Sequence, residues 1–303
     1  MNSKPDKSSQ LELQLPISSF CAESSTTPTL TFTTSLSHNF DSLIHRTYGH
    51  GHDHHNHKGN APKITAHTPT NTSTMGLISK AIGITGWSAL AATGTFVAMT
   101  RKNRILPVPA SDYIFNTTHY ARYNPYNSPV TQDICLRQVP LSQIKPEYLD
   151  GDGKLLTEKF CAGLWSGIGY AYQRSYLEKK YRGPETAGHL WDRKELAESK
   201  YEVGTLITDH FEVVSKTDQS IMVRCGDSPR KMDARESDGL FEMTAEIKKD
   251  EGVAEFGLKS VFYNGLSGYK SGSAAGPMPG HVQWLHQQYD KVLMESAIRN
   301  VTK

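Results

Sequence analysis

The chain offers a polyanion almost no net charge: 33 Lys and Arg stand against 31 Asp and Glu, a formal charge of +2. A nucleic-acid binder needs a basic stripe whose counterion release drives association. None runs through this sequence, so no nucleic-acid partner is expected. Cysteine is equally scarce. Cys21, Cys135, Cys161 and Cys225 lie far apart and form no CxxC pair, which excludes the common zinc and thioredoxin signatures and argues against a disulfide framework. Cys161 and Cys225 sit among apolar neighbours and read as small core residues. No GxSxG, Walker, Rossmann or HExxH pattern occurs in the region with folding periodicity. No nucleophile elbow, phosphate loop, dinucleotide site or zincin helix is therefore expected, and neither a cofactor nor a metal.

Hydrophobic residues make up only 37% of the chain, and the shortage lies mostly before Met75. Residues 1–74 are rich in Ser and Thr and show no sustained period of 3.6 or 2.0. Such a segment cannot bury enough apolar surface to offset its ordering entropy, so a disordered tail is expected. Inside it, His50, His52, His54, His55 and His57 follow His45. Imidazoles this dense can chelate Zn, Ni or Cu, but a tract without fixed geometry does not make a catalytic centre.

At Gly76 the composition changes. From 76 to 100 Lys80 is the only charge, and the run ends in Arg101, Lys102 and Arg104. About 20 apolar residues span a bilayer core, and cations after the run favour keeping that end on the cytosolic or matrix side. The expectation over 75–104 is a single membrane helix with a basic stop and a folded domain facing the cytosol. Residues 105–130, with Tyr113, Tyr120, Tyr123, Tyr126 and several Pro and Asn, predict an extended arm that is neither helix nor strand.

The pattern over 131–303 is that of one α+β domain. Asp133–Pro140 predicts a strand, and Leu156, Phe160, Leu164, Ile168, Ala171 and Tyr172 recur at helical spacing through one long helix over 155–181. Gly163, Gly167 and Gly169 cost that helix propensity, about 1 kcal/mol each, and imply close packing on a sheet or a ligand. Strands follow at 211–215, 221–225, 241–247 and 254–262. Phe241, Met243, Ala245 and Ile247 alternate with Glu242, Thr244 and Glu246, as in an antiparallel sheet with one face on a core and one in water. A last helix over 280–301 carries Val282, Leu285, Tyr289, Val292, Leu293 and Ala297 as its stripe.

Gly204–Val214, Ile221–Asp227, Asp238–Ile247 and the His281–Asn300 helix, in this order, resemble the START/polyketide-cyclase superfamily, including proteins of filamentous fungi with a similar short membrane segment. That resemblance implies the helix-grip fold, an antiparallel sheet wrapped around a long C-terminal helix with an apolar cavity between them. It implies a hydrophobic small-molecule ligand: a lipid, quinone, polyketide or terpenoid. Two activities fit, a cofactor-independent cyclase or isomerase of secondary metabolism and a non-catalytic lipid or quinone carrier. A titratable group inside the cavity favours the first and an all-apolar lining the second.

Candidate polar groups for catalysis are His210, Arg224, Asp227 and His281. His210 is either a surface residue or a general base, but Asp209 points to the opposite face of a strand and does not pair with it. Arg224 opposes Ile221, Val223 and Cys225, so it lies in solvent or, with the faces exchanged, in the cavity. Asp227 precedes Ser-Pro, where turn chemistry already explains an Asp. His281 and His286, five apart, do not share the i, i+4 geometry of a helical metal pair. Trp165, Tyr170, Phe256 and Trp284 are candidate ligand-binding aromatics, with core packing as the alternative for each.

Overall fold

The computed structural model describes residues 91–150, 153–267 and 276–303. The tail 1–74 lies outside the described residues, as do 75–90 of the expected membrane helix over 75–104, while 91–100 are helical. Among the described residues no helix is long and apolar enough to cross a membrane.

The domain is α+β with a seven-stranded antiparallel sheet. Its elements in chain order are β1 (Arg104–Leu106), α1 (Thr118–Tyr123), β2 (Thr131–Pro140), α2 (Lys154–Ser166), α3 (Ile168–Tyr181), α4 (Arg193–Glu198), β3 (Leu206–Ile207), β4 (Phe211–Lys216), β5 (Ser220–Cys225), β6 (Asp238–Lys248), β7 (Val253–Tyr263) and α5 (Gly280–Val301). The sheet order is β1-β2-β7-β6-β5-β4-β3. β3 to β7 form a meander, and β2, made before the helices, returns to pair with the last strand in the continuous register Thr131↔Phe262 to Pro140↔Val253. Gly252 permits the tight turn from β6 into β7 at a φ of 68°.

Period-2 alternation sorts the side chains onto two faces. Cys135 and Val139 of β2, Ile221 and Val223 of β5, Phe241, Met243 and Ala245 of β6, and Ala254, Phe256 and Leu258 of β7 pack with α2, α3 and α5 in one core. This inner face keeps the parity expected from the sequence. The outer face does not meet water as expected. Val108, Ile114, Tyr120 and Tyr123 of the arm lie on Val214, Met222, Leu240, Val261 and Tyr263. The arm is also more regular than its composition implies. It contributes β1 to the sheet, and Asp112 and Thr117 accept hydrogen bonds from Ile114 N (3.0 Å) and Tyr120 N (3.1 Å) to start a short 3₁₀ turn and α1.

The long helix expected over 155–181 is two helices, broken at Gly167. A Cβ at Gly167 would overlap Ser296 of α5, and one at Gly163 would overlap Asn300 and stand 2.9 Å from the Ala297 carbonyl oxygen. The glycines therefore let α2 and α5 approach backbone to backbone. Ser296 Oγ serves the break: it accepts from Gly169 N (3.3 Å) and reaches the Gly163 carbonyl (3.5 Å). These polar groups of the interrupted helix are thus not left orphaned in the interior. The close packing read from the glycines is against a helix, neither sheet nor ligand.

Candidate functional site

A cavity of about 240 Å³ lies between the inner face of the sheet and α5. Its walls are largely apolar: Trp165 at the end of α2, Tyr170 on α3, Phe211, Phe241 and Phe262 on the sheet, and Leu293 on α5. Trp165 is fixed edge-to-face against Tyr170 (4.9 Å between centroids) and tilted against Phe211 (4.6 Å). The Tyr170 hydroxyl shares a 2.5 Å hydrogen bond with Thr208 Oγ1.

At one end, polar groups replace this lining. Asp133 of β2 and Ser260 of β7 are paired in the ladder and share the inner face. Above them α5 places His286 and Asp290 one turn apart, four residues being the spacing that stacks two side chains on one helix face. His286 Nε2 lies 3.2 Å from Ser260 Oγ, 3.2 Å from Asp290 Oδ2 and 3.9 Å from Asp133 Oδ1. The two carboxyls are 2% and 0% exposed, and no donor from outside the pair reaches any of their four oxygens. Burial, and then the neighbouring Asp133, push the Asp290 carboxyl well above the usual range. Burial lowers the affinity of His286 for a proton, against the pull of Asp133. Arg137, four residues along β2 from Asp133, pairs with Glu295 at 3.5 Å.

His210 lies toward the other end, next to Phe211 of β4. Ser260 is on β7, three strand spacings away, or about 14 Å along the sheet. The turn that presents His210 holds Thr208 and Asp209 at φ of 49° and 54°, a region where a β-branched residue is an outlier. Surrounding contacts hold it there. Thr208 is tied to Tyr170, and Asp209 accepts from Ser228 Oγ (2.8 Å) and from Arg230 Nε and Nη2 (3.3 and 3.0 Å). Adjacent residues point apart as expected, so Asp209 does not serve His210, whose ring instead lies 4.9 Å from that of Tyr181.

Trp165, Tyr170 and His210 thus line the cavity, and the other expected residues lie elsewhere. Arg224 is on the outer face, in neither solvent nor cavity. Its Nε and Nη2 donate to Asp238 (2.9 and 2.6 Å), other donors reach the carbonyls of Met232 and Asp233, and its guanidinium lies 3.6 Å over the Tyr123 ring. Asp227 pairs with Lys231 at 2.5 Å in the turn after β5. Phe256 is core, tilted against Phe160 at 4.8 Å. His281 is exposed, and Trp284 is 58% exposed because its side of α5 faces away from the sheet. The three described cysteines are free and buried.

Sequence reasoning missed Asp133, Ser260, His286 and Asp290 as a group. One signal was present: His286 was weighed only against His281, while Asp290 stands at i+4. The rest depends on strand pairing, which joins positions more than 120 residues apart. Comparison of the chain with family models, curated proteins and solved structures finds no match.

Proposed function

We propose that this domain binds an apolar small molecule carrying a polar head group and acts on it as a cyclase or isomerase. The observation that carries the reading is the lining of the cavity, aromatic and aliphatic along most of its length but closed by Asp290, His286 and Ser260. Apolar walls supply affinity, and a few aimed polar groups fix orientation. A carbonyl or hydroxyl placed at the Ser260–His286 end would be held by hydrogen bonds there, with the apolar skeleton extending toward Trp165 and Phe211. His210 is then placed to give or take a proton at the far end, where an imidazole acts near neutral pH. Holding a flexible skeleton in one folded geometry is itself a large part of such catalysis.

The strand, helices, meander and C-terminal helix, with the first and last long strands paired, support assigning the domain to the helix-grip class. The proposed setting is a membrane, with residues 76–100 as tether and the domain on the cytosolic side. The predominantly apolar lining favours a second reading, a carrier of a lipid or quinone that does no chemistry.

Native mass spectrometry of detergent-extracted protein should show a small hydrophobic molecule bound to the domain. Turnover of that molecule, or of its chemical class, should fall about 10²–10⁴-fold in His210→Gln with folding unchanged. Binding without any turnover would select the carrier, and an empty cavity under all extraction conditions would reject both readings.

A further inference from the structure

We propose that Asp133, His286 and Asp290 form a binding site for one divalent first-row transition-metal ion, with a coordination position open to the cavity. The first argument is geometric. One ligand atom from each residue lies within 4.8 Å of the others, and two of the three separations are 3.2 and 3.9 Å. An ion with bonds of about 2.0–2.2 Å holds tetrahedral ligand atoms roughly 3.3–3.6 Å apart. The cluster is therefore within a side-chain adjustment of a coordination shell. One imidazole nitrogen and two carboxylates are a borderline-to-hard donor set, suited to Zn, Mn, Fe(II) or Co(II).

The second argument is charge. Two carboxyls buried side by side, with no donor from outside the pair, are costly unless a cation or a shared proton compensates them, and a proton serves only one charge. Among the described residues the only ionic partner of either is His286, at 3.9 Å from Asp133 and 3.2 Å from Asp290. Arg137 has Glu295 as its ionic partner at 3.5 Å, and Lys291 Nζ donates to Gln288 (3.2 Å). A divalent ion would balance both carboxylates at once.

The third is access. His286 and Asp290 line the cavity while Asp133 lies behind them, so protein covers one side of the ion and the cavity the other. Catalytic sites keep such a position for water or a substrate oxygen, which an ion polarises. Ser260 Oγ, 3.2 Å from His286 Nε2, borders it. The inference rests on the cavity reading only for what fills that position.

The test uses the full chain, stripped with chelator and then supplied with Mn(II), Zn(II), Co(II) or Fe(II). The thermal midpoint of the wild type should rise by about 5–10 °C for at least one ion at 100-fold excess over its dissociation constant. The double variant Asp133→Asn/Asp290→Asn should not respond. Ions taken up by the histidines of 45–57 cancel in the comparison, because both proteins carry them. Bound metal per chain should differ by one. If the double variant does not fold, His286→Gln supplies the same contrast, with a response at least tenfold weaker in metal concentration. Equal responses in wild type and variant, or none to any of the four ions, would overturn the proposal. A metal site without a hydrophobic ligand would leave this inference standing and remove the cyclase and carrier readings. A ligand without a metal response would do the reverse.

Discussion

The two faces of the sheet treat buried charge in opposite ways. On the outer face two buried cations meet carboxylates. Arg224 and Asp238 meet at 2.6 Å with side chains 1% and 0% exposed, and Lys259 reaches Asp112 at 2.9 Å and Glu242 at 3.0 Å. On the inner face Asp133 and Asp290 are buried together with one histidine between them, and no donor from outside the pair reaches either. A matched pair secures the arm to the sheet. An unmatched pair beside a cavity costs stability, and such costs persist where a ligand or ion offsets them.

Unmatching the outer face should have the largest effect. Arg224→Leu leaves the Asp238 carboxylate buried without its guanidinium partner, and removing one member of such a pair costs about 3–5 kcal/mol. Urea unfolding should show that loss, and the double variant Arg224→Leu/Asp238→Leu should recover much of it. A change under 1 kcal/mol in the single variant would mean that the pair does not hold the outer face. The inner face should respond with the opposite sign. In chelator-stripped protein Asp290→Asn removes a carboxyl that burial and Asp133 push well above the usual range, and at neutral pH the fold should gain stability, because a carboxyl with a raised folded pKa costs stability above its unfolded value. A loss of stability there would place the two faces in one class and weaken the case for a site.

A smaller effect tests whether the cavity is framed by a rigid layer. Gly163→Ala puts a methyl group against Asn300 and the Ala297 backbone, an overpacking cost of about 1–3 kcal/mol partly offset by better helix propensity. Gly188→Ala, with nothing within 4 Å of the added carbon, should stay within about 0.5 kcal/mol of wild type. Equal costs at the two positions would show that α5 can shift, and the spacing of His286 and Asp290 above Asp133 would then not be fixed by packing.

The two faces also differ in how far they could be read from the sequence. Alternation alone gave Phe241, Met243 and Ala245 their inward direction, because one buried face imposes period 2. The outer cover was not legible: an arm of Pro, Asn and Tyr has no period, and its burial follows from Ile114, Tyr120 and Tyr123 meeting Val261 and Tyr263 across more than 130 residues. Arg224 was misplaced for the same reason, since a buried charge cannot be distinguished from an exposed one until its partner is known. Trp284 was assigned inward from its residue type, against the stripe of its own helix. The cluster at Asp133, Ser260, His286 and Asp290 combines one local spacing with one cross-strand pair, and only the local half could be seen in advance.

Between the matched and the unmatched cases stands Asp209, whose partners do not all match it. Ser228 and Arg230 supply its hydrogen bonds, while His189 lies 3.8 Å away without one. Burial lowers the proton affinity of His189, Asp209 opposes that effect and Arg230 adds to it. The sign follows from linkage. A histidine whose folded pKa lies below its unfolded value of about 6.5 is neutral in the fold, so its stability contribution is complete above that pH. As pH falls from about 6.5 toward the lower folded value, the unfolded chain takes up the proton first and stability declines. His119 and His286 are shifted in the same direction, each by burial first, so His189 accounts for only part of the slope. Urea midpoints at pH 7.5 and 5.5 should therefore move closer together in His189→Gln than in the wild type, an effect smaller than those above. A steeper decline in the variant would mean that protonated His189 is stabilised by Asp209, and that this third site belongs with the matched charges of the outer face.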